Sequence, residues 1–411
     1  MVQFQEELID DPTTTGRGLF LTENSDYYNH YYNSDSVRCR GFLLDPPPHD
    51  MTYFLAQLEA VGRYYELVSD SALSLSIAEI IENPNSTNGY YTVSNVMEYY
   101  AKGDALIAEF FSEALDSAKV DIEDYFDGKD FSPDDVVFVV FHAGLSQDFT
   151  YPSLDPTIYD LKSAYIDEKM MQDIEPTVIL DDSIYSGIVL PETQNIIYYN
   201  VVEDIYGSDY ETDDLCAYQY GLTGTFAFWL GYELGLPPLY DTKSGDPGVG
   251  FFSLMDYGFN NGRGVIPAPP DPWTRIKAGW SEVEKINDFN NKGSILIRSY
   301  SSDEDTIYQI DISENEYFLI ENRNNQIIPG YDIEYLRYLL WNNYLCENCN
   351  LNCDGIDLDE ILINSSEIND CIQEYPFPTD KFHYFDVLDT LINSEFARII
   401  NAPYAILLIS L

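Results

Sequence analysis

Positive charge is scarce in this chain: 20 Lys and Arg stand against 71 Asp and Glu, for a formal net charge of −51. Phosphate recognition needs clustered basic side chains, so the balance argues against nucleic acid or an anionic membrane surface as a partner. Histidine is scarcer still. Only His30, His49, His142 and His383 occur, and no two stand at i and i+4, the helical spacing of a zinc pair. There is no apolar run of eighteen residues, so no transmembrane segment is expected. A serine nucleophile elbow G-x-S-x-G, a phosphate loop G-x-x-x-x-G-K-[ST] and a strand-linked G-x-G-x-x-G are all absent. Neither Cys39 nor Cys216 has the setting of a catalytic thiol.

What is present is a folding chain. At 411 residues with 45% hydrophobic content it is long enough for two or more domains and too apolar for wholesale disorder. The acids are spread in short clusters such as Asp209 to Asp214, which reads as a solvated acidic surface, with calcium loops as the competing reading. Apolar spacing predicts a first strand near Val2, a helix over Met51 to Ser69, a helical region from Val93 and an amphipathic helix over Leu106 to Val120. A buried-type strand is expected over Asp134 to His142, and β-rich segments over Ser183 to Val202. After about Asp288 the pattern becomes strand-like at Ile295 to Ser299, Thr306 to Ile312 and Tyr317 to Ile320. Helices alternating with strands before residue 235 indicate an α/β or α+β domain with a mixed sheet.

The most informative stretch is Gly221 to Asp241, GLTGTFAFWLGYELGLPPLYD. It reads as a helix over Gly221 to Leu234, with Thr223 or Thr225 available to cap its start and Gly235, Pro237 and Pro238 to stop it. The blocks LGLPPLYDT, GDPGVGFFSLMDYG and GRGVIPAPPDPWTRIKAGW follow in order. On these blocks the chain resembles the immune-inhibitor-A-type secreted zinc metallopeptidases, metallopeptidase family six. The resemblance implies a zincin-like peptidase domain over about 1–288, α+β with a mixed sheet and an active-site-type helix. A smaller β-rich region over 289–411 would follow it, with a cysteine-bearing insertion at about 335–377. It also implies a secreted protein.

The same alignment of blocks withdraws the family's chemistry. A zincin helix carries two histidines at i and i+4 with a glutamate between them that activates the metal-bound water. Anchored on Leu234-Gly235-Leu236-Pro237, those positions hold Phe228, Trp229 and Tyr232, and the third-ligand position holds Pro238. Glu233 is one residue away, rotated by about 100° on the helix, and does not substitute. No zinc is expected. The aromatic triplet reads either as ordinary core or as a plug filling the volume of metal, water and substrate. Cleft candidates are Tyr232, Met255 and Tyr257, although Met255 reads better as core filler. His142 reads as a structural histidine at a strand end, and His49 as part of the cap of the helix from Met51.

Downstream, Cys346, Cys349, Cys353 and Cys371 form a C-x2-C-x3-C-x17-C cluster, read as disulfides or a metal knuckle. Asn350, Asn352 and Asp354 follow the first half of a calcium loop, but Ile361 stands where its closing acid belongs. Met1 runs straight into Val2-Gln3-Phe4 with no signal peptide, and Ala402 to Leu411 reads as a buried strand, so the sequence is expected to be a piece of a longer precursor. The functional expectation is a catalytically inactive peptidase homologue that binds a protein or peptide ligand or serves as a structural module. The alternative is an active hydrolase using residues outside the family positions.

Overall fold

The computed structural model describes residues 1–23, 44–77, 79–129, 131–148, 155–199, 201, 219–286, 307–313 and 316–323, and the backbone of 405–410. All six cysteines, His30, His383 and the calcium-loop residues Asn350, Asn352 and Asp354 lie outside the described residues, as does the strand expected at Ile295 to Ser299. The chain divides into two compact units, Met1–Cys39 with Leu43–Thr274 and Arg40–Phe42 with Arg275–Leu411.

The first unit is built on a five-stranded mixed sheet of order β2-β1-β3-β7-β4. Its strands are β1 (Val2–Gln3), β2 (Tyr91–Thr92), β3 (Val139–His142), β4 (Ala164–Ile166) and β7 (Gly187–Pro191). The first four in that order run parallel, and β4 pairs antiparallel with β7, Ala164 opposite Val189. A separate hairpin joins β5 (Val178–Ile179) to β6 (Asp182–Ser183). Its two turn residues, Leu180 and Asp181, both have positive φ, as the tightest hairpin turns require.

Adjacent residues of a strand face opposite sides of a sheet, and β3 shows what each side holds. Phe141 meets Phe54 of helix α1 (Met51–Val68) at 4.8 Å and Phe226 at 5.8 Å. His142 meets Phe4 at 5.7 Å and Phe110 at 6.2 Å. Phe110 belongs to the long helix α3 (Asp104–Phe126), which follows the short helix α2 (Met97–Tyr100). The sheet is therefore sandwiched, with α1 and the Phe226 helix on one face and α3 on the other. The elements are mixed α+β, as the sequence pattern indicates.

Local chemistry explains the element ends. Asp50 caps α1 by accepting from the amides of Thr52 and Tyr53 at 3.0 and 3.2 Å. His49, expected to share that role, turns inward instead, its Nε2 3.0 Å from the Asp45 carbonyl oxygen. Helix α3 starts two residues before its expected start and runs six residues past its expected end, where Ile122 and Phe126 continue its buried stripe. The β3 ladder begins only at Val139, since Pro133–Asp135 forms a 3-10 turn under Ser132.

The second unit contains a sheet of order β11-β10-β9-β8, from β8 (Val283–Lys285), β9 (Ile307–Asp311), β10 (Tyr317–Arg323) and β11 (Ala405–Ser410). Strand β10 is antiparallel to both neighbours, while β8 and β9 run parallel. Glu321 is fully buried between two buried cations, with the guanidinium of Arg275 on one carboxylate oxygen and Arg323 Nε at 2.9 Å on the other. Among the described residues no helix is long and apolar enough to cross a membrane.

Asp160 gives the first unit a built-in pH dependence. Its carboxyl is 3% exposed and accepts from Thr15 N at 2.7 Å and Thr15 Oγ1 at 3.0 Å. Burial pushes its pKa up to about 8 against those hydrogen bonds. A carboxyl raised on folding stabilises fully below its unfolded pKa, and that contribution is lost as pH rises through the folded value. The Asp160→Asn variant keeps an oxygen for Thr15 and cannot ionise. Between pH 4 and pH 8, denaturant titrations should show wild type losing up to about 1.4 kcal/mol per pH unit relative to the variant. Parallel stability curves for the two proteins would refute the assignment.

Candidate functional site

The segment singled out by its zincin frame forms helix α4 (Leu222–Glu233), packed on α1, β4 and β7. It is apolar on every side, as expected of a helix enclosed by protein, and Leu222 through Phe228 are all buried. Neither Thr223 nor Thr225 caps it. Its N-cap is Gly221, and the first amide, Leu222 N, donates to Asp45 Oδ2 at 2.8 Å, a carboxylate supplied from 177 residues away. An anion there also meets the positive end of the helix dipole. Asp45 is itself held by Gln57 Nε2 on its other oxygen at 2.9 Å.

The helix ends where the Gly and Pro signals put its end. Gly235 has φ of 76°, its amide donates to Tyr232 O at 2.9 Å, and Leu236 N donates to Gly231 O at 2.8 Å. This pair of bonds is a Schellman motif, which satisfies two carbonyls of the last turn.

Phe228, Trp229 and Tyr232 gather in one ring cluster. Phe228 is 6% exposed and sits at the centre of a ring cluster: Phe259 at 4.8 Å, Trp229 at 5.0 Å, Tyr232 at 5.3 Å and Tyr240 at 6.2 Å. Trp229 and Tyr232 are half-buried and 5.5 Å apart, and Tyr165 of β4 stacks on Tyr232 at 6.1 Å. The Tyr232 and Tyr240 hydroxyls share a 2.8 Å hydrogen bond, and burial together with that bond keeps the Tyr232 phenol protonated well above its usual range. Pro238 is half-buried in the turn between α4 and Tyr240.

Zinc does not fit these residues. Two phenyl- or indole-type rings and a proline offer no donor, and the one phenol present is protonated and engaged. Among the described residues no group of three or more His, Cys, Asp or Glu side chains is placed to hold a metal ion.

Glu233 engages the hydroxyl of Tyr165, the ring that stacks on Tyr232. Its Oε1 accepts from Ser186 Oγ at 3.2 Å. Burial raises its pKa, opposed by Ser186 and by the Tyr165 hydroxyl. Tyr165 in turn is pushed up to about 12, by burial first and then by the Glu233 charge.

Beneath α4 lies the methionine segment. Met255 is fully buried, and a Cβ added at Gly231 would stand 2.5 Å from its sulfur and 3.0 Å from the Tyr65 hydroxyl, so the thioether packs directly on the helix backbone. Tyr257, by contrast, is 38% exposed and donates to Gly245 O at 2.8 Å. Between them Asp256, 1% exposed, gathers four amides. Gly248, Val249 and Gly250 donate to Oδ2 at 2.7–2.8 Å, and Tyr257 donates to Oδ1 at 2.8 Å. Leu239 N bonds Met255 O at 2.9 Å, locking the turn after α4 to this segment.

Two histidines are resolved in their settings. His142 is fully buried with Nδ1 2.9 Å from Ala143 O, and burial lowers its pKa to about 4, so it is neutral in the fold. His49 is also fully buried, with Nδ1 3.4 Å from Glu192 Oε2. Glu192 was not visible as a site residue in a chain with 71 acids. Its one signal is position, an acid directly after the fully buried strand Gly187–Pro191.

No family model matches this chain, and no curated protein or solved structure matches it.

The Asp256 nest carries a clear mutational expectation. Asp256→Ala leaves four backbone donors without their carboxylate, so it should destabilise the first unit by about 3 kcal/mol or more. A shift of the denaturant midpoint checks this, and a midpoint equal to wild type would show the nest to be incidental.

Proposed function

We propose that this chain is a non-catalytic relative of the immune-inhibitor-A-type zinc metallopeptidases. On this reading a zincin-like domain has its zinc-binding face replaced by aromatic packing, and the protein is a secreted module that binds a protein or peptide or has a structural role. The observation that carries the reading is the ring cluster around Phe228. The positions that the resemblance assigns to two ligands and the general base are contiguous, packed on one another and on Phe259 and Tyr240. Rings in mutual contact present no ligand atom to a metal at these positions. The mixed α+β architecture is compatible with the reading.

Incubation with a mixed peptide library, with and without a chelator, tests it. The expected outcome is no chelator-sensitive cleavage, together with far less than one zinc per chain by metal analysis after dialysis against zinc. Chelator-sensitive cleavage, or one tight zinc lost in Tyr232→Ala, would overturn the proposal. Chelator-insensitive cleavage abolished by Glu233→Gln would favour the hydrolase alternative, with the raised carboxyl beside Tyr165 as its acid.

A further inference from the structure

The two most exposed large hydrophobic side chains among the described residues are neighbours: Leu8 at 97% and Ile9 at 85%. They stand at the tip of a loop that is firmly braced. Glu7, 6% exposed, accepts from Asp11 N at 2.8 Å and Thr14 Oγ1 at 3.2 Å, and its carbonyl takes Arg17 Nε at 2.9 Å. Asp11 Oδ1 accepts from Thr13 N and Oγ1 at 2.9 and 2.7 Å. A loop with this much internal bonding presents its tip in a fixed conformation. The tip is flanked by the acids Glu6, Asp10 and Asp11.

On the same unit is an open pocket of about 450 Å³ lined by Ala101, Ile158 and Tyr159, with Lys102, Lys162 and Asp160 among its polar groups. Loop and pocket are tied together, Tyr159 N donating to Thr13 O at 2.9 Å and Thr15 N to Asp160 at 2.7 Å. Ile158 is 54% exposed. In a chain with 20 basic residues, two lysines beside the apolar part of this recess offer partners to an acid-flanked apolar tip, while the Asp160 carboxyl in its lining is buried and held by Thr15. The tip cannot enter its own pocket, since Leu8 is almost fully exposed while the loop's base already lies against the pocket wall.

We propose that a second copy of this chain fills the pocket: two chains related by a two-fold axis each insert the Leu8-Ile9 tip into the other's Ala101–Ile158–Tyr159 recess. Adjacent, mutually complementary features on one face are what an isologous dimer interface needs, because one rotation then satisfies both copies. Lys102 now pairs with Glu98 and Lys162 with Asp104, each at 2.8 Å. Exposed pairs of this kind, among them Glu6 with Arg17 at 3.1 Å, exchange partners at little cost, so the lysines turn to the incoming Asp10 and Glu6. The net charge of −51 per chain opposes association. At physiological salt, however, repulsion beyond about 8 Å is screened, whereas apolar burial and contact-range charge pairs persist.

Analytical ultracentrifugation of the full chain, with a reductant present to exclude disulfide-linked species, tests this over a hundred-fold concentration range at low and raised salt. A reversible dimer is expected, strengthened on going from low to physiological salt. Leu8→Asp with Ile9→Asp should weaken it by about a hundredfold or more, given the apolar burial lost, with an unchanged circular dichroism spectrum since both side chains are exposed. Lys102→Glu alone should weaken the dimer, and adding Asp10→Lys in the same chain should restore it, because each tip then meets a reversed rim. A wild-type protein that stays monomeric throughout, a dimer indifferent to the tip substitutions, or a charge reversal that is not rescued would each overturn the proposal.

Discussion

A buried carboxylate at position 192 ties the first unit together. Glu192 follows β7 and is inaccessible to water, a setting in which an uncompensated charge costs several kcal/mol. Compensation comes from four separate segments: Leu21 N at 3.1 Å, Gly144 N at 3.2 Å, the Tyr199 hydroxyl, and His49 Nδ1 at 3.4 Å. The His49 ring lies between the Asp45 carbonyl oxygen, 3.0 Å from Nε2, and the Glu192 carboxyl, 3.4 Å from Nδ1. The pair therefore holds the strand end, the N-terminal segment and the approach to α1 in one arrangement.

That arrangement reaches the candidate site through residue 45. The carbonyl that receives His49 belongs to Asp45, whose side chain starts α4. Asn195 Nδ2 and the Tyr198 hydroxyl both donate to Leu44 O at 2.8 Å, so the turn before His49 is fastened from the β7 side as well. Helix α4 has no polar face by which it could orient itself. Its position follows from the two ends, Asp45 at the start and the Schellman turn at the finish, and from Met255 pressed against Gly231. With both ends pinned, Phe228, Trp229 and Tyr232 are held at one place on one surface.

The parts of this architecture legible in the sequence are the ones governed by local rules. The span of α1, the stop of α4 at Gly235 and the strand at Tyr317 depend on periodicity and turn chemistry within a few residues. The start of α4 is illegible locally because the carboxylate that meets its first amide comes from a turn 177 residues earlier, not from its own threonines. The inward turn of His49 is illegible for the same reason, since a histidine beside Asp50 has the local pattern of a cap and Glu192 lies far away in sequence. Asp45, Asp160, Glu192 and Asp256 are the acids that organise the unit. In a chain with 71 acids, composition hides each of them among surface carboxylates.

The shortage of cations also explains the abundance of tyrosine. Buried carbonyls and carboxylates need donors, and with 20 Lys and Arg in the chain few can come from ammonium or guanidinium groups. Tyrosine supplies a neutral donor on a large apolar body, and 35 tyrosines are present. The hydroxyls of Tyr53, Tyr64, Tyr65 and Tyr198 each donate to a backbone carbonyl at 2.6–2.8 Å, joining elements far apart in sequence. Those of Tyr91, Tyr99 and Tyr100 donate to the carboxylates of Asp121, Glu109 and Glu113. Burial raises the Tyr53 and Tyr65 pKa values well above the ordinary range, so these phenols remain donors wherever the fold persists. A phenol that donates without charge leaves the acidic surface unneutralised. The ring cluster on α4 extends that economy of donors into the candidate site, where Tyr232 and Tyr240 bond to each other and no cation or metal is needed to hold them.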